Sequence, residues 1–225
     1  FSEVMKIEKL GDEHFVVHTK EGDYESKMVI WAAGTIAKQI EAEGEEEYVG
    51  RGISYCAICD GSFHEKQNVV VIGGGNSAIE EALYLAKICK KVTIITRGHH
   101  FRADPVLMEK VMRANNVDLV THHVITKFTG KDLLEQVTAK DRDSDNEIVL
   151  NVRGAFIYVG FTPSSTLLEN FDILDEDKYI IVDRNCETKV TGLYAAGDCI
   201  QKNIRQIATA VADGITCASA IVRKI

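Results

Sequence analysis

The sequence predicts an α/β fold, because it begins with alternating strands, continues with a strand, glycine turn, helix and strand, and ends with strands and a long helix. In the opening stretch Phe15 and Val17 lie on one face of an alternating pattern, and an apolar run at 29–31 leads into Ala32-Ala33-Gly34. Alternation of this kind is typical of strands with one buried face. The chain is therefore expected to start as paired strands.

The middle of the chain contains the pattern of a βαβ unit. The apolar run 69–72 predicts a buried strand, a helix is expected from 76 to about 88, and a second strand returns at 92–95. Ile79, Leu83 and Ala86 recur at helical spacing, so one face of the helix can cover a parallel sheet. The other predicted elements are a helix from Pro105 to about 113, short strands up to 159 with a hairpin turn at 141–146, strands at 179–182 and 193–195, and a helix from about 205 to 221.

An acidic run lies between the opening strands and the βαβ unit. Residues 41–47 are mostly glutamate, interrupted by Ala42 and Gly44. Repelling charges favour solvent, and glycine disfavours regular structure. This run is predicted to be a solvated linker without regular structure that marks a domain boundary.

Composition excludes several classes of function. The 225 residues carry a formal net charge of −8, which disfavours binding to nucleic acid or an anionic membrane. No apolar run approaches the ~20 residues that a membrane span needs, and residues 1–10 lack the pattern of a signal peptide. A cytoplasmic protein is expected. Because Phe1 is not an initiator methionine and the chain opens directly into a strand, a preceding segment is also expected.

The glycine turn in the βαβ unit predicts a dinucleotide site. Gly73, Gly75 and Ala78 fit G-x-G-x-x-A at a junction of strand and helix. Gly73 permits the tight turn, Gly75 lets the backbone approach a pyrophosphate, and Ala78 allows close helix packing. Asn76 and Ser77 begin the helix, whose free N–H groups favour an anion. The alternative is a purely structural glycine turn.

Cofactor choice is predicted from the end of the second strand. An acidic residue there would bind the ribose hydroxyl of NAD, whereas this chain has Arg97, followed by Arg102. Arginine favours a 2′-phosphate through charge-assisted hydrogen bonds. NADPH is therefore the expected nucleotide, with an ordinary exposed strand end as the alternative interpretation of Arg97.

Cys56 and Cys59 form a CxxC motif, which is typical of a redox-active dithiol. A zinc site would need two more ligands; His64 is near, but nothing completes a tetrahedral set, so no metal site is expected. Asp60 follows directly as a candidate proton donor or acceptor, or alternatively as a cap. Four other cysteines, at 89, 186, 199 and 217, are interpreted as small buried hydrophobic residues or incidental thiols.

Taken together, these motifs resemble the thioredoxin reductases of the low-molecular-weight type. The resemblance rests on Cys56-Ala57-Ile58-Cys59-Asp60-Gly61 and Gly73-Gly74-Gly75-Asn76-Ser77-Ala78-Ile79-Glu80-Glu81-Ala82, in that order. It extends to Phe101-Arg102-Ala103, Gly160-Phe161-Thr162-Pro163, Ala195-Ala196-Gly197-Asp198 and Arg205-Gln206. It covers essentially the whole chain.

The resemblance implies two Rossmann-like, three-layer ββα domains, with an NADPH domain inserted in a partial FAD domain. The NADPH domain would be 43–159, and the FAD domain 1–42 with 160–225. Segments near 42–48 and 158–162 would be hinges between them. The implied reaction passes electrons from NADPH through FAD and the cysteine pair to thioredoxin, in a homodimeric enzyme.

The resemblance also implies roles for individual residues. Cys59 would be the thiol nearer the flavin, Cys56 the thiol that reacts with the protein substrate, and Asp60 the acid–base group. Asp198 would bind the ribityl chain, and Gln206 would lie near the flavin ring. The remaining residues of the two cofactor sites are Ala33, Gly34, Gly197, Arg205 and Ile207 on the FAD side, and Gly160 on the NADPH side or at a hinge.

The sequence departs from the family pattern at two places. The family's first glycine-rich FAD turn has no counterpart after Phe1, so weak FAD binding is expected, and Gly98 replaces an arginine of the 2′-phosphate segment. His99 or His100 would add charge there only at low pH. The alternatives are a related flavoprotein that serves a peroxiredoxin, a FAD-dependent dithiol oxidase, and a non-catalytic nucleotide-binding module.

Overall fold

The computed structural model describes residues 2–224, which form two compact units. The continuous unit is Lys38–Gly160, and the discontinuous unit combines Phe1–Ala37 with Phe161–Ile225. The domains that the family resemblance implies change at 42/43 and 159/160, whereas the compact units change at 37/38 and 160/161. The assignment of one unit to NADPH and the other to FAD stays a prediction.

The chain contains fifteen strands and five α-helices within the described residues. The strands are β1 Val4–Gly11, β2 His14–Thr19, β3 Gly22–Ser26, β4 Val29–Trp31, β5 Thr35–Ala37, β6 Ile53–Ser54, β7 Asn68–Ile72, β8 Lys91–Ile95, β9 Val117–Val120, β10 His123–Gly130, β11 Leu134–Asp141, β12 Glu147–Asn151, β13 Gly154–Ile157, β14 Phe161–Pro163 and β15 Leu193–Ala195. The helices are α1 Glu45–Tyr48, α2 Ala57–Asp60, α3 Asn76–Leu85, α4 Pro105–Met112 and α5 Ile207–Val222; 3₁₀ turns occupy Gly61–His64, Thr166–Phe171 and Gly197–Cys199.

The continuous unit has three layers around a parallel sheet. Its five strands run in the order β6-β13-β7-β8-β9, and every neighbouring pair is parallel. Helices α3 and α4 cover one face, and the antiparallel sheet β10-β11-β12 covers the other. This is the ββα arrangement predicted from the sequence, and the α/β fold class is confirmed.

Strand β7 shows why the sequence pattern leads to this architecture. Val70 and Ile72 pack into the core shared with the antiparallel sheet, whereas Val69 and Val71 pack against the helices. Successive side chains of a strand point to opposite faces, so a strand covered on both sides must be apolar throughout. The continuous apolar run 69–72 is thus a direct consequence of the three layers.

The discontinuous unit combines three small sheets with the long helix α5. Strands β1-β2-β3 are antiparallel, β4 pairs in parallel with β15, and β5 pairs antiparallel with β14. Phe15, Leu193 and Ala195 share a core with the 3₁₀ residue Leu168. On the helix side, Tyr194 of β15 packs with Cys217 of α5. Strand β15 is therefore buried on both faces, and it occupies the residues 193–195 that the sequence predicts as a strand.

The prediction that residues 41–47 form a solvated linker without regular structure is wrong in the second half of that run. Glu45 begins helix α1 and is only 3% exposed. Its carboxylate accepts hydrogen bonds from the backbone N–H groups of Ile40 and Glu41, at 3.0 and 2.9 Å. A buried carboxylate is tolerated when backbone donors replace its water.

The predicted strand at 179–182 is also wrong. Ile180 is buried but makes only isolated bridges, with Leu174 and with Ile200. The carboxylate of Asp175 accepts a 2.8 Å hydrogen bond from the N–H of Tyr179 and so holds this segment as a tight turn. Side-chain bonds of this kind compete with strand ladders.

Helix α5 is 16 residues long, and it is the longest helix of residues 2–224. In that part of the chain, no helix combines the length and the apolar character that crossing a membrane would require.

Candidate functional site

Cys56 and Cys59 are joined by a disulfide, with their Cα atoms 5.3 Å apart. Strand β6 ends two residues before Cys56, which is the N-cap residue of the short helix α2. The N–H of Cys59 donates a hydrogen bond of 3.2 Å to Sγ of Cys56. A backbone donor at this position stabilises a negatively charged sulfur after reduction. The structure therefore brings the two cysteines together as a reducible pair.

Asp60 ends helix α2 and is held by Ser54. The hydroxyl of Ser54 donates to Oδ2 of Asp60 at 2.6 Å, and the same hydroxyl accepts from the N–H of Cys56 at 3.1 Å. Asp60 also precedes the 3₁₀ turn Gly61–His64, but its side chain makes no cap bond there. The capping interpretation thus gains no support, and the carboxylate lies beside the dithiol. Ser54 was missed in the sequence, where its only signal is its place two residues before Cys56.

Tyr158 connects the dithiol helix with the glycine turn. Its hydroxyl accepts a 2.6 Å hydrogen bond from the N–H of Ala57, while its backbone N–H donates to the carbonyl of Ile72 at 2.7 Å. Burial raises the pKa of Tyr158 well above its usual range, so the phenol stays neutral. Burial, with the charge of Glu80, also raises the pKa of the neighbouring Glu81. Tyr158 was not singled out in the sequence, and Glu81 was named there only as part of the motif after the glycine turn.

The surface around the dithiol is open and partly apolar. Cys59 is exposed, and Ile58 and Phe63 are 59% and 75% exposed. A cleft of about 450 Å³ begins beside Asp60 and is lined by Ser54, Phe63 and His64 among others. Large exposed apolar side chains near a reactive group are typical of a surface that receives another molecule.

His64 has a structural environment, not that of a zinc ligand. Its ring packs edge-on against Phe156 with ring centres 5.5 Å apart, and burial lowers its pKa. Within residues 2–224, no group of metal-ligating side chains includes Cys56 or Cys59. The zinc interpretation of the CxxC motif therefore gains no support.

The predicted nucleotide turn connects β7 to α3. Gly73 has φ of 150°, and a Cβ atom there would collide with the carbonyl oxygen of Tyr158. At Gly75, by contrast, an added Cβ would have no atom within 4 Å. Gly75 is the N-cap of α3 and has no side chain to cap the helix, so the first N–H groups of α3 receive no side-chain cap. Ala78 is buried against the core, as close helix packing requires.

Asn76 also organises the neighbouring loop. Its amide donates to Oδ2 of Asp104 at 3.0 Å and accepts from the N–H of Asp104 at 2.8 Å. Asp104 precedes helix α4, so the two helices covering the sheet begin side by side. The N–H of Arg102 in turn donates to the carbonyl of Gly74.

Arg97 and Arg102 are exposed at the loop after β8. Neither forms a salt bridge with a carboxylate in the described part of the chain, so both guanidinium groups are available to an anion. Arg142, from the hairpin between β11 and β12, donates to the carbonyl of Arg97 at 3.2 Å. Arg142 was missed because only the packing of the two sheets brings this hairpin to the loop.

In the discontinuous unit, Ala33 and Gly34 follow β4. Gly34 has φ of 69°, and its carbonyl accepts from the N–H of Ser164 at 3.0 Å. Trp31 donates from its indole to the carbonyl of Ser164 at 2.7 Å. These bonds fix a turn in which Ala33 remains exposed.

Gly197 and Asp198 follow β15 in a short 3₁₀ turn. Gly197 has φ of 84°, and its N–H donates to Oδ2 of Asp213 at 3.1 Å. Oδ1 of Asp198 is buried and has no hydrogen-bond partner among residues 2–224, since Nζ of Lys202 is 3.7 Å away. A buried carboxylate oxygen without a partner is unusual and marks a place where a ligand donor fits.

Arg205, Gln206 and Ile207 lie at the beginning of α5. Nε of Arg205 donates to the carbonyl of Asp198 at 3.2 Å, and the guanidinium stacks over Tyr179 at 4.0 Å. Gln206 is the N-cap and forms a capping box with Thr209. Ile207 is 85% exposed. The FAD-side residues of the C-terminal segment thus lie along one short stretch of chain.

Gly160 closes the continuous unit. It is exposed with φ of 108°, and its carbonyl accepts a 3.0 Å hydrogen bond from the N–H of Lys38. The first and last residues of the continuous unit are therefore hydrogen-bonded to each other.

The four remaining cysteines are buried and free. Burial raises the pKa of Cys89 to about 11 and that of Cys217 to about 12. Such thiols are poor nucleophiles at neutral pH. They behave as the small hydrophobic residues that the sequence predicts.

Comparison with known proteins gives consistent results. A sequence model described as pyridine nucleotide-disulphide oxidoreductase matches residues 2–214. Thioredoxin reductase of Bacillus subtilis is 39% identical over 214 residues, which are 94% of this chain and 67% of that protein. The bifunctional thioredoxin reductase/thioredoxin of Mycobacterium leprae is 36% identical over 207 residues, covering 91% of this chain and 45% of that protein.

A solved structure agrees with these sequence relatives. The crystal structure of thioredoxin reductase from Streptococcus pyogenes superimposes with a TM-score of 0.92 at 37% identity, covering 99% of this chain and 72% of that one. This chain thus spans about two thirds to three quarters of the length of the B. subtilis and S. pyogenes proteins.

Proposed function

Because the chain belongs to the thioredoxin reductases of the pyridine nucleotide-disulphide oxidoreductase family, we propose that it reduces the disulfide of thioredoxin with electrons from NADPH, through FAD and the Cys56–Cys59 pair. The observation that carries this proposal is the disulfide itself, with the Asp60 carboxylate held beside it by Ser54. The chain is a flavoprotein oxidoreductase by family, and its substrate is the proposed part.

The reduced dithiol performs the exchange with thioredoxin. The Cys56 thiolate attacks one sulfur of the thioredoxin disulfide, forming a mixed disulfide and releasing a thioredoxin thiolate. Cys59 then attacks the Cys56 sulfur, which restores the Cys56–Cys59 disulfide and releases the second thioredoxin sulfur. In this proposal Asp60 donates a proton to the leaving thiolate and accepts one from the attacking thiol.

The residues of the continuous unit fit a dinucleotide. The open space in front of Gly75 adjoins the free N–H groups at the start of α3, which suits a pyrophosphate. Arg97 and Arg102 would hold the 2′-phosphate that distinguishes NADPH from NADH. We assign residues 43–159 to this NADPH-binding role.

The discontinuous unit supplies residues that fit FAD. The unpartnered carboxylate oxygen of Asp198 suits a ribityl hydroxyl donor, and Gln206 and Ile207 at the start of α5 suit the ring. When bound, a flavin supplies the two-electron chemistry that links a nicotinamide to a disulfide. Ala33, Gly34, Gly197 and Arg205 belong to the same proposed site.

A protein is the proposed disulfide substrate. Ile58 and Phe63 beside the dithiol offer apolar contact area that a small thiol compound would not need. The relative from M. leprae carries both reductase and thioredoxin in its name, which supports thioredoxin as the partner. A homodimer, as the family resemblance implies, belongs to the same proposal, and analytical ultracentrifugation tests it.

The deciding experiment measures NADPH oxidation and thioredoxin reduction with added FAD. The variants are Cys56→Ser, Cys59→Ser and Cys89→Ala, the last a buried cysteine far along the chain from the motif. We expect both motif variants to be inactive and Cys89→Ala to keep its activity. Full activity in either motif variant would refute the dithiol assignment.

A half-reaction test separates the dithiol from the cofactors. The Cys59→Ser variant is mixed with oxidised thioredoxin and analysed on a non-reducing gel, where a mixed disulfide is expected. Cys56→Ser should form none, and the opposite result would exchange the two roles. Three other results would each identify an alternative function. Exchange with a peroxiredoxin-associated disulfide but not with thioredoxin identifies a flavoprotein that serves a peroxiredoxin. NADPH-driven oxygen consumption without thioredoxin identifies a dithiol oxidase, and nucleotide binding without any exchange identifies a non-catalytic nucleotide-binding module.

A further inference from the structure

His99, His122 and Asp143 lie together although they are far apart in the sequence. One ligand atom from each lies within 4.8 Å of the other two. We propose that these three side chains form a binding site for a divalent transition-metal ion of the Zn²⁺ class. The proposal concerns residues outside the dithiol chemistry, and it stands whether or not the chain reduces thioredoxin.

His122 is the centre of the cluster. Its side chain is 12% exposed, and Nε2 lies 2.8 Å from Oδ2 of Asp143. That contact lacks hydrogen-bond geometry, and within residues 2–224 neither ring nitrogen has a hydrogen-bond partner. Apart from this contact with Asp143, a nearly buried imidazole without a hydrogen-bond partner calls for an explanation, and a bound ion would supply one. Neutral imidazole nitrogen is a preferred ligand of Zn²⁺.

The backbone around His122 holds the three loops in place. His122 has φ of 59° in the turn between β9 and β10. Its N–H donates to the carbonyl of Gly98 at 2.9 Å, and its carbonyl accepts from the N–H of Arg142 at 3.0 Å. His122 is thus hydrogen-bonded through its backbone to both of the loops that carry His99 and Asp143.

Asp143 is itself positioned by the hairpin. Its N–H donates to Oδ1 of Asp141 at 2.9 Å, and the N–H of Ser144 donates to the same oxygen at 2.9 Å. Side-chain bonds of this type fix a turn. The Asp143 carboxylate is therefore presented to His122 by an ordered loop, which lowers the entropy lost when an ion binds.

The donor set selects the class of ion. Two imidazoles and one carboxylate suit Zn²⁺, Ni²⁺ or Cu²⁺, whereas Ca²⁺ and Mg²⁺ prefer sites made of oxygen. The rings of His99 and His122 are stacked, 3.8 Å apart and 11° from parallel. Two parallel rings cannot both point at one ion. His99 is exposed and so has room to leave the stack, and the proposed site requires that rotation to bring a ring nitrogen to the roughly 2.0–2.1 Å of zinc coordination.

The test is a calorimetric titration of the full chain with ZnCl₂, with the Cys56–Cys59 disulfide oxidised and without reductant or phosphate. Oxidation matters because a reduced dithiol would itself bind zinc. We expect one ion per chain. His99→Asn, His122→Asn and Asp143→Asn should each weaken binding by more than about tenfold, because losing even an outer-shell partner of a ligand typically costs about 10- to 100-fold in metal affinity. Asparagine tolerates the left-handed backbone of His122, so that variant keeps its turn.

His123→Asn is the matched control, because that ring is the next in the chain yet binds the carbonyl of Thr121 at 2.7 Å. It should bind zinc as the unaltered chain does. Co²⁺ spectra add a second readout, since ligation by nitrogen and oxygen gives no thiolate charge-transfer band. Unchanged affinity in His122→Asn and Asp143→Asn, absence of saturable binding, or a thiolate band would overturn the proposal. Should His122→Asn fail to fold, the loop variants His99→Asn and Asp143→Asn decide.

Discussion

The hydroxyl of Ser54 donates a 2.6 Å hydrogen bond to the carboxylate of Asp60 and accepts one from the backbone N–H of Cys56. This single side chain connects the candidate acid–base group with the N-cap residue of the dithiol helix. It orients the carboxylate without occupying its second oxygen. In the proposed disulfide exchange, this arrangement would make Ser54 a positioning residue for proton transfer by Asp60.

Replacing Ser54 by alanine should slow the reaction of the reduced chain with oxidised thioredoxin by about tenfold, part of the 10²–10⁴ that a placed proton donor contributes. The loss should be larger where proton transfer limits the rate, which changes the shape of the pH–rate profile. Stopped-flow measurements of the exchange from pH 6 to 9 check this. Ser62→Ala, two residues beyond Asp60 and exposed, is the control. If Ser54→Ala lowered the rate by the same factor at every pH, the result would contradict a role for Ser54 in positioning Asp60.

Gly75→Ser should weaken nucleotide binding without destabilising the fold. Serine is a favoured N-cap residue, and there is open space for its Cβ, so the unfolding midpoint should be kept or rise slightly. Its hydroxyl, however, fills the space proposed for the pyrophosphate and competes for the helix N–H groups. NADPH affinity by fluorescence titration should fall at least tenfold, about 1.4 kcal/mol.

The matched change is Gly73→Ala. Here the positive φ and the collision with the carbonyl of Tyr158 should destabilise the fold itself. Equal stability of the two variants, or unchanged NADPH binding by Gly75→Ser, contradicts the assignment of the turn.

Arg97→Gln should reduce the preference for NADPH over NADH. Losing one charge-assisted hydrogen bond to a 2′-phosphate costs about 1.5–3 kcal/mol, or roughly 10- to 100-fold in affinity, and NADH lacks that phosphate. Titrations with both nucleotides give the ratio. Arg113→Gln, whose guanidinium pairs with Glu109 on helix α4, should leave the ratio unchanged. Equal losses of affinity for NADPH and NADH would show that Arg97 does not bind the 2′-phosphate.

Glu45→Ala should destabilise the chain by about 1–3 kcal/mol, because the N–H groups of Ile40 and Glu41 lose their acceptor. Urea unfolding followed by circular dichroism measures the change. Glu46→Ala is the natural comparison, since that neighbour is exposed on the same helix. If both variants unfold alike, the buried carboxylate contributes no more than an ordinary surface charge.

The partly buried side chain of His64 should make the free energy of unfolding fall as the pH is lowered. Burial lowers its pKa in the folded chain, so on acidification the unfolded chain binds a proton at about pH 6.5 while the folded chain still resists it. Stability from this group is therefore present above pH 6.5 and is lost as the pH falls towards the folded value. Melting temperatures of His64→Gln should fall less steeply between pH 7 and 5. An identical slope in both proteins would exclude His64 as the source.

Several features were readable from the sequence because they rest on local patterns. The apolar run 69–72, the glycine turn and the helical spacing of Ile79 required the βαβ unit, and the structure contains it. The helices predicted after Pro105 and near the end occur at Pro105–Met112 and Ile207–Val222. Periodicity and turn chemistry are local properties, and each belongs to one stretch of chain.

The two wrong predictions, the linker at 41–47 and the strand at 179–182, have a common cause. Glu45 looks like one more surface charge in an acidic run, and only its bonds to Ile40 and Glu41 make it a buried residue. The segment around Ile180 has the composition of a strand, but the Asp175 side chain holds it as a turn. In both cases a hydrogen bond between a side chain and the backbone outweighed the local pattern.

The sequence by itself determined the motifs on which the proposed chemistry rests: the spacing of Cys56 and Cys59, the glycines after β7, and the arginines after β8. Those signals are local, because each depends on residues a few positions apart. Tertiary structure alone decided which other groups meet them. Tyr158 joins the dithiol helix to the glycine turn, and packing of the two sheets of the continuous unit brings the hairpin of Asp143 to His122. Such pairs are set by how strands and layers pack, which no short stretch of sequence encodes.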